Sequence, residues 1–220
     1  MKVKDLLALY DEKKERYGKN AYKHISDLFI EAKEIHKRDF KGKDHEQSWR
    51  SFKGKNYEKI IEYILIDEIH SLGLEIVNGN HLERTINLSD VLDNVKRNLL
   101  VNFGEYGYHL PDVDLIIYNP KNSDVIAVVS AKVTLRERVA QTGYWKIKLS
   151  VCNKTKNVKV YLITLDEDNV FKDAKPAKKG RAIAEVDSDG TYLMTKEKFA
   201  ISKKIKSFEY FINDLKKIIK

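Results

Sequence analysis

Apolar side chains recur at helical spacing through residues 3 to 39, at Leu6, Leu7 and Tyr10 and then at Ile25, Leu28, Phe29, Ala32 and Ile35. This spacing predicts two helices, with the charged runs DEKKER and EAKEIHKR facing water. Gly42 and Gly54 punctuate the next stretch, after which Tyr57, Ile60, Ile61, Ile64 and Leu65 form one stripe of a strong core helix ending near Gly73. Between 74 and 100 the periodicity weakens. LEIVNG reads as a short strand with an Asn-Gly turn, and LSDVLDNVKRNLL as a helix. From 111 the period changes: VDLIIY and DVIAVVSAK are strand-like runs joined by NPKNSD, whose turn residues predict a hairpin. TLRERVAQTGYWKIKLSV returns to helical spacing, NVKVYLIT is a buried strand, and RAIAEVDSDGTYLM reads as a second hairpin around Asp189-Gly190. The C-terminal KIKSFEYFINDLKKIIK is an amphipathic helix with Ile205, Phe208, Phe211, Ile212, Leu215 and Ile218 on its inner side. The order predicts an α/β (α+β) fold, a mixed sheet flanked by helices with helical additions at both ends. A helical region over 1–45 packs on a single globular unit over 46–220.

The ends of the predicted hairpin are polar. Alternation puts Asp112 and Asp114 on a shared face, and likewise Ser130 and Lys132, and hairpin pairing brings the start of the first strand beside the end of the second. Two readings fit. An Asp–Lys pair at a strand end is a surface ion pair contributing at most about 1 kcal/mol. Alternatively, clustered carboxylates bind a hard divalent cation such as Mg²⁺, and the adjacent lysine stabilises charge on a phosphate, the parts phosphodiester hydrolysis requires.

Composition changes that picture in two ways. The chain has 220 residues with 41 Lys+Arg against 33 Asp+Glu, a net charge of +8, which suits a polyanionic partner although it also serves solubility. The single cysteine, Cys152, excludes an intrachain disulfide and a multi-cysteine zinc site, which implies a reducing, cytoplasmic setting. The charged N-terminus resembles neither a signal peptide nor a membrane span.

Pro111-Asp112, with Ser130-Ala131-Lys132 further along, resembles the PD-(D/E)XK nuclease signature in a variant whose second acid is replaced by Ser130. The segment TLRER resembles the stretch after the motif lysine in type II restriction endonucleases, and QSWRSFKGKNYEKIIE resembles a helix entrance of the BsaWI-type group. The resemblance covers about half the chain and implies an αβββαβ core, with one strand between 74 and 110. It further implies a Mg²⁺-dependent, sequence-specific endonuclease that cuts double-stranded DNA to 5′-phosphate ends, acting as a homodimer. Asp112 matches the motif aspartate, with Asp114 an alternative metal ligand, and Lys132 matches the motif lysine. Because Ser130 is a poorer ligand, a helix glutamate is expected to complete the site. Glu58 is favoured, with Glu137 second and Glu62 also a candidate.

Arg136, Arg138 and Gln141 after the lysine are expected to meet DNA, as are Lys175, Lys178, Lys179 and Arg181 in the basic stretch 171–181. Tyr106, Tyr108 and His109 line the DNA channel or simply pack, while His36 and His70 lack metal partners at recognisable spacing. Two rivals remain: a repair, junction or RNA-processing nuclease of the same fold, and a non-catalytic nucleic-acid-binding module in which Ser130 marks a decayed site.

Overall fold

The computed structural model describes residues 1–219. The N-terminal periodicity forms α1 (Val3–Tyr17) and α2 (Ile25–Asp39), separated by a 3₁₀ segment over Gly18–His24. Helix α3 runs over His45–Ser71. Asp44 caps it by accepting from the Gln47 N–H at 2.9 Å, and Gly73 beyond its end has φ 71°. Gly54 therefore does not punctuate: it lies inside α3, where the buried stripe of Tyr57, Ile60, Ile61, Leu65 and Ile69 outweighs a single weak helix former.

Strand β1 (Glu75–Asn78) follows, then α4 (Gly79–Arg84), α5 (Asp90–Leu99), the strand pair β2 (Val101–Asn102) and β3 (Tyr108–His109), β4 (Leu115–Tyr118), β5 (Val125–Lys132), α6 (Arg138–Ser150), β6 (Lys159–Thr164), α7 (Lys179–Val186), β7 (Gly190–Leu193), β8 (Ile205–Ser207) and α8 (Phe211–Ile218). The main sheet has the order β1-β4-β5-β6-β7-β8. Pairs β1–β4 and β4–β5 are antiparallel, and β5–β6, β6–β7 and β7–β8 are parallel. The expected αβββαβ series is α3, β1, β4, β5, α6 and β6.

Three expectations change. Asn78-Gly79 opens α4 instead of forming a turn, since the Asn78 carboxamide oxygen accepts from the N–H groups of Asn80 and His81. RAIAEV is the helix α7, and β7 lies parallel to β6, so no hairpin forms at Asp189-Gly190. Arg181 and Ala184 are buried at a spacing of three, a helical face too short to stand out in the sequence, and a parallel pair needs such a crossover. Finally, Ile205 belongs to β8 and Phe208 to a 3₁₀ turn, so the C-terminal helix is shorter than its amphipathic pattern.

Both faces of the sheet are covered. Ala127, Val129 and Ala131 of β5 pack with α1, α2, α3 and α8, through Leu6, Phe29, Tyr57, Ile61 and Phe211. Val128 faces the other way, with Val95 and Leu99 of α5 and Trp145 and Leu149 of α6. Helices α6 and α7 close a third cluster around Leu135, Leu162, Phe171 and Leu193. This burial holds the strand ends fixed against α3 and α6.

Candidate active site

Strand β4 begins where β5 ends, with Leu115 opposite Val129, so Asp114 lies directly before the paired strand and beside Lys132. Asp114 is 6% exposed. Its Oδ2 accepts from Lys132 Nζ at 2.6 Å and from the Ala131 N–H at 2.6 Å, while its own N–H donates to the Val129 carbonyl at 3.0 Å. An aspartate so placed is positioned by backbone, and the lysine is positioned by the aspartate.

Glu58 reaches the same sheet edge from α3. Burial pushes its carboxyl up to about 7, and the negative charge of Asp114 adds to the effect, while the Asn78 carboxamide and Lys132 work against it. The donor is Asn78 Nδ2, at 3.3 Å from Glu58 Oε2. Glu58, Asp114 and Lys132 thus converge, as sequence spacing alone could not require. Glu62 lies one turn further along α3, its carboxyl pushed up by burial and eased by Lys59 and His81.

Asp112 does not join this pair. It is exposed and accepts from Gln141 Nε2 at 2.6 Å, because residues 110–114 precede the strand and do not follow its alternation. Ser130 is buried in β5 opposite Leu162. Glu137 is exposed at the N-cap of α6 and not one turn inside it, since the helix starts at Arg138. Arg136 and Arg138 are exposed at this helix entrance, and Arg136 has φ 39°. An unanticipated residue holds that turn: the Asp168 carboxylate accepts from the Leu135 N–H at 3.0 Å and the Arg136 N–H at 2.9 Å. Nothing near Asp168 in the sequence signals a partner more than thirty residues away.

In the basic stretch, Lys175, Lys178 and Lys179 are exposed, and Lys178 Nζ donates to the carbonyls of Asp168 and Asn169. Arg181 is different. It is 4% exposed and bonds the carbonyls of Phe171 and Ala200 and the carboxylate of Glu185, so its guanidinium faces the interior and the expected DNA contact does not hold for it. Tyr106 and Tyr108 are exposed near the β2–β3 pair, and His109 bonds the Tyr106 carbonyl. His70 pairs with Glu75, and His36 packs against Phe40 and His45.

Among the described residues, no group of three His, Cys, Asp or Glu side chains is placed to hold a metal ion. Two acidic groups at one edge still fit a hard cation. Mg²⁺ commonly takes one or two carboxylates and completes its shell with water and substrate phosphate, and a cation there would offset both the burial and the Asp114 charge that raise Glu58.

Comparisons with known proteins bear on the family and the fold. The family model of the type 2 BsaWI restriction endonuclease matches residues 91–214. A protein of Methanocaldococcus jannaschii designated the type II restriction enzyme MjaVIP is 33% identical over 227 residues, covering 100% of this chain and 96% of its own length. HpyAORF263P of Helicobacter pylori, also designated a type II restriction enzyme, is 40% identical over 129 residues, covering 58% of this chain and 66% of its own. The crystal structure of the specific restriction endonuclease AgeI–DNA complex shares the fold, with a TM-score of 0.55 at 14% identity over 94% of this chain and 90% of that one.

Proposed function

The chain belongs to the BsaWI family of type II restriction endonucleases, and we propose that this sequence-specific DNA endonuclease works through Glu58, Asp114 and Lys132, with Mg²⁺ as its metal. The observation that carries the assignment is the convergence of these three side chains at one sheet edge. Glu58 and Asp114 would hold the cation. When bound, Mg²⁺ supplies Lewis-acid polarisation of the phosphate and a more acidic water. In this reading Glu58, reaching in from α3, takes the place of the acid that the family pattern has where this chain has Ser130.

Lys132 keeps one N–H on Asp114 Oδ2, which leaves its other two donors for the phosphate oxygen on which charge develops as the bond to the 3′-oxygen breaks. The products carry 5′-phosphates. Asp112 lies outside this pair and serves, through Gln141, to hold the start of α6. Arg136, Arg138, Lys175, Lys178 and Lys179 are the proposed backbone contacts, being exposed cations next to the catalytic edge or on the following loop. Cutting both strands of a symmetric site calls for two centres, hence a homodimer.

Incubation of the purified protein with plasmid and Mg²⁺, and then mapping of fragment ends, tests the assignment. Discrete bands with 5′-phosphate ends are expected. Cleavage unaffected by chelation of divalent metal would overturn the two-carboxylate site.

A further inference from the structure

The dipeptide Asn78-Gly79, which the local sequence presents as a turn, lies between the two acids proposed to bind metal. We propose that Asn78 and Gly79 are positioning residues for that site, Asn78 aiming Glu58 and Gly79 seating Asp114. The inference rests on the two-carboxylate reading above.

The orientation of the Asn78 carboxamide is set by its bonds. Its Oδ1 accepts from the backbone N–H groups of Asn80 at 3.0 Å and His81 at 3.4 Å, as an N-cap does. With the oxygen occupied by two donors, the amide nitrogen must point the other way, and there it donates to Glu58 Oε2 at 3.3 Å. Two carboxylates facing each other in a half-buried site repel, and without a donor Glu58 would turn toward solvent. Asn78 opposes that turn from a rigid position, at the end of β1 in register with Leu115, the residue after Asp114.

Gly79 acts on the other acid. Its N–H donates to the Asp114 carbonyl at 2.9 Å, and a Cβ on it would stand 1.9 Å from the Val113 carbonyl oxygen. Only a residue without a side chain lets α4 approach the Val113-Asp114 backbone so closely. Thus the start of α4 contacts the backbone that carries one acid and hydrogen-bonds the side chain of the other. Outer-shell partners of this kind set ligand orientation, and their loss typically weakens metal binding by about 10- to 100-fold.

The test uses Mn²⁺ as the probe, its uptake read by electron paramagnetic resonance of the free ion, alongside the Mg²⁺ concentration needed for half-maximal cleavage. Asn78→Ser keeps a capping oxygen but has no amide to reach Glu58. It is expected to keep the wild-type thermal midpoint, to bind Mn²⁺ about ten-fold or more weakly, and to regain most of its cleavage rate at saturating Mg²⁺. Asn78→Thr, with the same cap chemistry, serves if the serine variant is unstable. Gly79→Ala is expected to lose Mn²⁺ affinity together with stability. Wild-type Mn²⁺ affinity in the capped Asn78 variants overturns the role of Asn78, and in Gly79→Ala that of Gly79. A wild-type protein that takes up no Mn²⁺ overturns the carboxylate site itself, and with it this inference.

Discussion

Lys132 and Glu58 both flank Asp114, yet removal of Lys132 should read out differently from removal of Glu58. On the proposed role, Lys132→Ala takes a donor from the reacting phosphate, so cleavage should fall by about 100-fold or more, while binding of DNA in Ca²⁺ changes little because many other cations carry it. A variant that cuts plasmid at the wild-type rate removes Lys132 from the chemistry. Glu58→Gln keeps size and loses charge, and should raise the Mg²⁺ requirement of cleavage with little change in thermal midpoint. Away from the site, Asp214 accepts from Lys206 at 2.6 Å, Lys217 at 2.8 Å and Tyr192 at 3.0 Å. Burial raises its carboxyl, but these donors outweigh burial and hold it below its usual 3.8. A depressed carboxylate contributes stability above the unfolded pKa and loses it as pH falls through the folded one. Asp214→Asn should therefore lower stability at pH 7 by about 1–3 kcal/mol, and urea titrations of the two proteins should converge below pH 3.8. At this scale the residue types of the site were legible in the sequence. Which of Asp112 and Asp114 lies beside Lys132 was not, because it depends on the strand starting at Leu115.

Helices α6 and α7 show why element identity needs neighbours. A Cβ on Gly143 would lie 2.9 Å from Asp187 Cβ and 3.3 Å from Ile183 Cγ2, so α6 can approach α7 only where the side chain is missing. Alanine favours a helix interior by roughly 1 kcal/mol, but overpacking costs about 1–3 kcal/mol. Gly143→Ala is expected to lower the midpoint of thermal unfolding, and a raised midpoint would show that the contact yields. Arg181 of α7 looked like part of a DNA-tracking run, and its burial turns it into an internal clamp on Phe171, Ala200 and Glu185. Arg181→Ala should cost about 2–3 kcal/mol, since it strands buried acceptors, and should leave the salt dependence of DNA binding unchanged. The stripe of α3 and the continuous apolar run of β6 were readable because α3 buries one face and β6 buries both. The short α7 was not: its eight residues fit a strand as well as a helix, and only the crossover between β6 and β7 decides between them.

For the whole molecule, the +8 charge is expected to act through phosphate contacts, giving a log–log salt slope of about −0.9 per phosphate neutralised. Replacing Lys175 and Lys179 with alanine should flatten that slope by up to about two contacts, and an unchanged slope in filter-binding titrations would place the loop off the DNA. A homodimer should sediment at twice the mass of one chain, and a monomer that still cuts both strands at once would contradict the two-centre arrangement. None of the described helices is long and apolar enough to cross a membrane. The sequence by itself determined local features: the helical stripe of α3, the hairpin of β4 and β5, the buried β6, the excess of cations, and the types of the site's acids and lysine. These arise from near-neighbour periodicity and from the chemistry of single side chains. Tertiary structure alone decided that Glu58 and not Glu137 meets Asp114, that Asp112 stands aside with Gln141, that Asn78-Gly79 begins a helix, and that Arg181 is internal. Each of these depends on which strand ends share an edge and which helix is buried against them, and long-range packing sets those distances.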